Sequence, residues 1–194
     1  INPLDEVGLK NYRNPQTLRG IAGKGTDLAD LHVPVIINGD VAFLKGLCKA
    51  ILEAEAQQRG KVLDKTFIDA HTEGFNDFVA DIGRTGWEEI SVASGVSESL
   101  IRRAAEIAIK ANNTICCWAM GMTQHKNAVA NIQEIVNFLM LRGNLGRQGA
   151  GACPVRGHSN VQGDRTMGVY EKPDAAFLDQ LGRRFSFEPP RHDG

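Results

Sequence analysis

Hydrophobic residues recur at intervals of three and four along most of this chain, which is the spacing of amphipathic helices. The helical period begins after Asp40, resumes after Asp64 and Ser97, and returns after Gln124. Asp and Ser favour helix starts, because their side chains accept a hydrogen bond from the free backbone N–H groups of the first turn. The pattern therefore predicts helices over these stretches, and residues 112–113, two asparagines, end the third.

Two short apolar runs of a different kind precede two of these helices. Residues 33–37 and 114–120 are rich in β-branched or apolar side chains without helical spacing, which predicts strands. Each run leads into a turn, residues 38–40 and 121–124, and then into a helix. Alternating strands and helices predict an α/β fold with a parallel sheet. Ligands bind such sheets beyond the carboxyl ends of the strands, so both turns are candidate binding loops.

The regular pattern is lost after the last long helix. Gly143, Gly146, Gly149 and Gly151 have a spacing reminiscent of a phosphate-binding fingerprint, but they follow a helix. The dinucleotide motif follows a strand, so this order disfavours nicotinamide binding. Residues 148–168 then show no usable period. A long ordered loop is usually functional, and we predict one here.

Composition and charge narrow the class of protein. Of the 194 residues, 42% are hydrophobic and 23% are charged, as in ordinary globular domains. The formal net charge of -1 gives no basic excess, so we predict no binding to nucleic acid. No apolar stretch approaches the roughly 20 residues of a membrane-spanning helix, and no signal peptide is evident. These observations predict a cytoplasmic protein without a membrane span.

The cysteines give no sign of a metal site. Cys48, Cys116, Cys117 and Cys153 lack the paired spacing of zinc or iron–sulfur ligands. We therefore predict no metal ligand within this chain and interpret the thiols as reduced structural residues. The chain begins with Ile-Asn-Pro rather than with Met, and its last residues close no recognisable element. We interpret both ends as cuts.

Polar residues at the predicted strand ends are candidate ligand contacts. Asp40 could accept two hydrogen bonds from the N1 and N2 donors of a guanine, although it could equally serve as a helix N-cap. Asn2, in a predicted strand tail, could assist from a neighbouring strand end. Gly121 would let a phosphate or flat ring approach the backbone, and the Gln124 amide both donates and accepts. A plain strand-to-helix turn explains these last two residues equally well.

A second candidate cluster lies in residues 154–163, where polar side chains alternate with glycines. Arg156 offers a rigid fork of donors for a carboxylate or another anion. His158 belongs to the residue type that changes protonation near neutral pH. The competing interpretation is a surface loop with scattered polar residues.

Three motifs, taken together and in order, resemble a known family. They are residues 117–124 (CWAMGMTQ), 140–146 (MLRGNLG) and 154–163 (PVRGHSNVQG). They resemble the molybdopterin oxidoreductases of the dimethyl sulfoxide reductase type, in particular the formate dehydrogenase-like catalytic subunits. The resemblance covers most of the chain and is strongest over residues 97–168.

The resemblance implies a fold class and a domain division. The expected fold is an α/β, parallel-sheet Rossmann-like domain of a molybdopterin oxidoreductase, followed by a C-terminal segment of a neighbouring α/β domain. Residues 1–156 would be part of the domain that binds the guanine dinucleotide. Residues 157–194 would begin the neighbouring domain, with an active-site loop and a following helix.

The resemblance also implies a cofactor and site residues. The cofactor would be bis-molybdopterin guanine dinucleotide holding molybdenum or tungsten. Asn2 and Asp40 match the guanine-side positions, while Met120, Gly121 and Gln124 would line the cofactor. The catalytic residues would be Arg156 and His158. Arg156 would orient a substrate anion near the metal, and His158 would tune protonation or a bound water. The substrate would be a small molecule, formate or another small anion.

Other parts of the machinery are expected elsewhere in a longer chain. In the family, the metal ligand and any 4Fe–4S cluster precede the region matched here, so the isolated fragment is expected to be inactive. The sequence does not identify the redox partner. An alternative of another class is a non-catalytic nucleotide-binding α/β module, like the central domains of thiamine-diphosphate enzymes, which share strand, glycine turn and long helix. Polar residues 154–163 favour the enzyme.

Overall fold

The computed structural model describes residues 1–58, 60–155, 157–158, 161–169 and 172–191. The chain divides into two compact units, Ile1–Val155 and Arg156–Gly194. The first unit is a mixed α/β structure that is mostly helical and contains a small parallel sheet. No helix in the described part of the chain is both long enough and apolar enough to cross a membrane.

The first unit begins with short, largely exposed elements. These are α1 (Val7–Lys10), β1 (Asn11–Tyr12), α2 (Leu18–Ala22) and β2 (Thr26–Asp27), with β1 and β2 paired antiparallel. The strand tail predicted at residues 1–3 is wrong, because the chain bends there. A single backbone bond, from the Asn2 N–H to the Val33 carbonyl at 3.0 Å, joins it to the following segment.

A long helix, α3 (Asp40–Gln58), forms the centre of the first unit. It buries side chains on more than one face because helices pack around it, mainly α6, α7 and α9. The remaining helices of this unit are α4 (Lys65–His71), α5 (Phe75–Arg84), α6 (Trp87–Ser94), α7 (Glu98–Lys110), α8 (Met120–Thr123) and α9 (Ala128–Met140).

Local signals start several of these helices where the sequence predicted. The Asp64 carboxylate accepts a hydrogen bond from the Phe67 N–H at 3.0 Å and caps α4. The Ser97 hydroxyl accepts from the Leu100 N–H at 3.4 Å and caps α7, which ends just before residues 112–113. Gly74 precedes α5 in a left-handed conformation with φ of 72°. The predicted helix starts at Asp64 and Ser97 are therefore confirmed.

The sheet is smaller than the sequence predicted. β3 (Ile115–Trp118) pairs in parallel with β4 (Gly151–Pro154), in the register Cys117 opposite Cys153. The strand predicted over residues 114–120 is thus confirmed in its central part. β4 lies within residues 148–168, for which we predicted a continuous loop, so that prediction is wrong.

The strand predicted over residues 33–37 does not form. The segment is extended and buries Val33 and Val35, while Ile36 and Ile37 are exposed. Its described backbone bonds to other segments are those of the Ile36 N–H to Ser94 and of the Asn2 N–H to Val33. A strand requires a continuous ladder with a partner. The β-branched pattern therefore identified burial correctly at Val33 and Val35 but not at Ile36 and Ile37, and the predicted strand pairing is wrong.

The second unit contains two helices among its described residues, α10 (Val161–Thr166) and α11 (Ala175–Phe185). The Asp174 carboxylate accepts a hydrogen bond from the Phe177 N–H at 2.7 Å and so caps α11. Because α10 also falls within residues 148–168, the predicted loop is interrupted by a helix as well as by β4.

Candidate functional site

The loop that follows β3 carries the exposed residues predicted to contact a ligand. Ala119 is extended, and α8 then forms a single helical turn closed by the Gln124 N–H bond to the Met120 carbonyl at 2.9 Å. Met120, Gly121 and Gln124 are all exposed, and the Gln124 amide lies 3.7 Å from the Met120 sulfur. Our predicted glycine turn is therefore a short helix. These three predicted residues lie exposed within one short segment of the chain.

At Gly121 the chain's own structure does not require a glycine. Its φ is not left-handed, and a Cβ built at this position meets nothing within 4 Å. A larger residue would therefore fit the backbone and the surrounding protein. What glycine adds is an exposed patch of backbone without a side chain, to which another molecule can approach closely.

The buried Asn131 stabilises this loop, and the sequence pattern did not predict its role. Its side chain is 0% exposed, and its amide donates a hydrogen bond to the Met122 carbonyl at 3.0 Å. Its Oδ1 accepts no hydrogen bond from the described residues. One feature of the sequence could have indicated this role. Asn131 lies four residues before the buried Ile135, so it is a polar residue within the apolar stripe of α9.

Asp40 is the first residue of α3 rather than its cap. The first helical hydrogen bond runs from the Phe43 N–H to the Gly39 carbonyl at 3.0 Å. The N-cap position that we predicted for Asp40 is therefore occupied by Gly39. Asn38, with φ of 68°, turns the chain, and a Cβ at Gly39 would lie 2.9 Å from the Ser94 Cα. A side chain at this crowded position would collide with the backbone of Ser94.

The Asp40 carboxylate is half-buried at the start of α3. Burial raises the pKa of Asp40 above its ordinary value, while its own backbone N–H and the nearby His125 act in the opposite direction. His125 directly follows α8 and Gln124. His125 is therefore near enough to Asp40 for its charge to act on the carboxylate.

Asn2 occupies a different place from the one we expected. Its backbone carbonyl lies 3.2 Å from the His32 Nε2, and its N–H binds Val33, so it sits at the start of the extended segment that leads to Asp40. Its side chain is already engaged, with Oδ1 accepting from the Leu4 N–H and Nδ2 donating to Glu6 at 3.0 Å. No described contact brings Asn2 to Asp40.

The two predicted catalytic residues belong to the second unit. His158 is exposed to solvent. Arg156 lies outside the described residues, as do Ser159 and Asn160 of the same motif. Within the described part of the chain, no group of three or more His, Cys, Asp or Glu side chains is arranged to hold a metal ion.

Residues 140–146, the second of the three motifs, connect the end of α9 to α7 and β3 through hydrogen bonds. The Arg142 guanidinium donates to the carbonyls of Ala108, Ile109 and Ala111, the last at 3.1 Å, at the end of α7. The Asn144 Oδ1 accepts from the Thr114 N–H at 3.1 Å, directly before β3. The bonded residues are about 30 positions apart in the sequence. The local sequence pattern therefore did not predict these contacts.

Several known proteins are similar to this chain in sequence. No protein-family profile matches the chain. The chain is 44% identical, over all of its 194 residues, to an uncharacterized oxidoreductase of Mycobacterium tuberculosis, of which it covers 25%. It is 34% identical over 142 residues to formate dehydrogenase H of Escherichia coli, covering 73% of this chain and 19% of that protein. The chain thus spans a quarter or less of the length of these relatives.

Among solved structures, the chain is similar to acetylene hydratase from Pelobacter acetylenicus. The TM-score is 0.55 and the identity 20%, over 63% of this chain and 16% of that one. At this identity the likeness concerns the fold alone.

Proposed function

Because this chain belongs to the molybdopterin oxidoreductase family, we propose that it forms part of the cofactor-binding region of an enzyme that carries out two-electron redox chemistry on a small substrate. The observation that carries the proposal is the loop after β3, where Met120, Gly121 and Gln124 are exposed beyond the carboxyl end of a parallel strand. Ligands of parallel sheets bind at that end. The 44% identity to a protein named an oxidoreductase supports the same conclusion.

The residues of this loop fit a cofactor with flat rings and phosphate groups. Gly121 leaves backbone exposed where neither its φ nor its packing requires glycine. The Gln124 amide both donates and accepts hydrogen bonds, and Met120 offers an adaptable apolar surface. We therefore propose that Met120, Gly121 and Gln124 line bis-molybdopterin guanine dinucleotide, within a Rossmann-like domain that comprises residues 1–156.

Asp40 fits the guanine end of the same cofactor. Guanine presents two N–H donors on one edge, and an ionised carboxylate accepts two hydrogen bonds side by side. Among the described residues, the groups that lower the pKa of the Asp40 carboxyl are its own backbone N–H and His125, which leaves the carboxylate with acceptor capacity. Asn2 could contribute only by exchanging its contacts with Leu4 and Glu6. We therefore assign the main guanine contact to Asp40 and a secondary one to Asn2.

The protein's share of the reaction is binding and orientation. When bound, the cofactor supplies molybdenum or tungsten and the two-electron redox step. In our proposal Arg156 binds the substrate, formate or another small anion, and His158 holds a proton or a water. The support for these two roles is residue type: a guanidinium matches a carboxylate, and an imidazole titrates near neutral pH.

Metal and nucleotide analysis tests the proposal. The longer protein that contains this chain would be purified without oxygen from cells supplied with molybdate and tungstate. Elemental mass spectrometry and GMP release by acid hydrolysis should give about one metal and two GMP per protein, as expected for a bis-dinucleotide cofactor. Neither metal nor GMP in a folded preparation would favour the nucleotide-binding module instead.

The same analysis tests Asp40. Asp40→Asn should lower the GMP content, because the amide presents an N–H donor where guanine needs an acceptor. Asp69→Asn, at an exposed position on α4, is the matched control and should leave the GMP content unchanged. Equal GMP in both variants would remove Asp40 from the guanine site.

Kinetics test Arg156. Arg156→Ala should lower kcat/KM by about 30-fold to 1,000-fold, or about 2 to 4 kcal/mol, if the guanidinium pairs with a buried anion. Arg156→Lys should recover only part of the loss, since an ammonium does not reproduce the fork. The control is Arg183→Ala, at an exposed position on α11. An unchanged kcat/KM for Arg156→Ala would exclude this role.

A further inference from the structure

The four cysteines form two pairs on opposite faces of the small sheet. Cys116 and Trp118 of β3 pack against the hydrophobic core, and the buried Cys48 of α3 lies near Cys116. Cys117 points to the other face because side chains alternate along a strand. Cys117 and Cys153 are directly opposite each other in the ladder, and both are exposed.

The spacing of Cys117 and Cys153 suits a covalent bond. Neighbouring strands lie about 4.8 Å apart, and a disulfide joins Cα atoms that are about 4.4 to 6.8 Å apart. In a parallel ladder, paired residues project from the same face of the sheet. The Cys153 thiol is close enough to Cys117 to raise its pKa, after the larger effect of desolvation. The register of the two strands therefore places the two cysteines side by side on one face of the sheet.

The buried pair is chemically different. Burial raises the pKa of Cys116 to about 11 and that of Cys48 well above its ordinary value. Cys48 is buried and Cys116 is half-buried, so both are less accessible to a reagent than the exposed pair. Partial desolvation and the neighbouring Cys153 thiol also raise the pKa of Cys117, but both of these thiols are accessible. Thiol exchange requires a thiolate and access to it, so it should select the exposed pair.

We propose that Cys117 and Cys153 are a redox-active dithiol that closes reversibly into a cross-strand disulfide. The oxidant is a low-molecular-weight disulfide such as glutathione disulfide. One cysteine thiolate attacks this disulfide, which forms a mixed disulfide and releases one glutathione thiolate. The second cysteine then attacks the mixed disulfide and releases the other glutathione. Two S–H bonds of the protein are lost, one S–S bond forms, and the small disulfide is reduced to two thiols.

The position of the pair gives the bond a structural consequence. Cys117 and Cys153 form the last but one pair of the ladder, before Trp118 and Pro154. Directly after Trp118 the chain enters residues 119–124, the loop that we assign to the cofactor. The disulfide would fix the separation of β3 and β4 at that end. The chemistry of the pair does not depend on the proposed function, which can fail independently.

Mass spectrometry tests the proposal. The protein is incubated with glutathione disulfide at mildly alkaline pH, free thiols are alkylated, and peptides are analysed without reduction. We expect a linked pair of peptides containing Cys117 and Cys153, lighter than their sum by two hydrogen atoms, and complete reversal by dithiothreitol. Cys48 and Cys116 should be alkylated only after unfolding.

Single variants show whether the two thiols act together. Cys117→Ser should accumulate glutathione on Cys153, and Cys153→Ser should accumulate it on Cys117, because the second attack is removed. Cys48→Ser should leave the link intact and serves as the control. Stable glutathione on both cysteines of the unmodified protein, a link that involves Cys116, or no oxidation at all would each overturn the proposal.

Discussion

At the scale of single residues, Asn131 shows how a buried polar group positions a surface loop. The side chain is 0% exposed and donates its amide to the Met122 carbonyl at 3.0 Å, while its Oδ1 accepts nothing from the described residues. A buried carbonyl left without a donor costs about 1 to 3 kcal/mol. Asn131 therefore stabilises α8, the turn that presents Gly121 and Gln124.

Replacing Asn131 should destabilise the first unit. We expect Asn131→Ala to lower the free energy of unfolding by about 1 to 2 kcal/mol, because the Met122 carbonyl loses its donor while the unpaired Oδ1 is also removed. Urea unfolding followed by circular dichroism measures the change. Gln133→Ala, at an exposed position on α9, is the control and should have little effect. Equal stability of the two variants would contradict the role of Asn131.

Glu55 is a second buried polar residue with a defined role. Its Oε2 accepts hydrogen bonds from the Val62 and Leu63 N–H groups at 2.9 and 3.0 Å, and Lys65 lies 3.4 Å from Oε1. Burial alone would raise the pKa of Glu55, but the bonds from Leu63, Val62 and Lys65 outweigh it and lower the pKa. The ionised carboxylate thus stabilises the chain segment after α3.

This lowered pKa predicts a pH dependence of stability. The contribution of Glu55 should be complete above the ordinary pKa of 4.5 and should disappear as the pH falls through the lower pKa of the folded state. Unfolding free energies measured from neutral to acidic pH should therefore fall less steeply for Glu55→Gln than for the unmodified protein. Glu89→Gln, an exposed site on α6, should keep the original slope. Parallel slopes for all three proteins would disprove the linkage.

At the scale of elements, the connection from α9 to β4 ties three elements together. Arg142 donates to carbonyls at the end of α7, Asn144 accepts from Thr114 before β3, and the Asp64 N–H binds the Leu141 carbonyl at 3.0 Å. Two glycines of this connection, Gly143 and Gly146, have φ of 59° and 70°. The backbone conformation is left-handed at both, but their surroundings differ.

Matched alanine substitutions separate backbone strain from packing at these glycines. Gly146→Ala should cost only the strain of a left-handed residue, about 1 to 2 kcal/mol, because an added Cβ meets nothing within 4 Å. Gly143→Ala should cost about 1 to 3 kcal/mol more, since its Cβ would lie 2.5 Å from the Asp64 Oδ2 and disturb the α4 cap. Denaturant unfolding measures both. A Gly143 variant no less stable than the Gly146 variant would refute the packing argument.

At the scale of the whole molecule, the hydrophobic core belongs to the first unit. Every residue of the core cluster lies between Val33 and Leu141, and α3 is at its centre. The described helices of the second unit, α10 and α11, have no buried residues. The stability of the first unit should therefore arise within residues 1–155.

Truncation tests this division. A chain of residues 1–155 should unfold cooperatively with nearly the same urea midpoint as the 194-residue chain, because the removed segment contributes no residue to the core cluster. Intrinsic fluorescence reports the transition, since both tryptophans, Trp87 and Trp118, lie in the first unit. A large loss of stability or cooperativity would show that the second unit supports the first.

The sequence by itself determined the features that depend on near neighbours. Asp64 and Ser97 start helices because a cap involves residues only three positions apart. The β-branched residues Val33 and Val35 are buried as their pattern predicted. The three motifs at residues 117–124, 140–146 and 154–163 identified the family. The strand and turn predicted over residues 114–124 indicated the position of the exposed loop after β3.

Only the tertiary structure decided which distant groups meet. Residues 33–37 have the composition of a strand but lack a ladder, because pairing depends on a partner elsewhere in the chain. Asn131 beneath Met122, Arg142 at the end of α7 and Cys117 opposite Cys153 are contacts that the path of the chain creates. Capping and periodicity act over one or two helical turns, whereas these contacts are fixed by how the helices pack around α3.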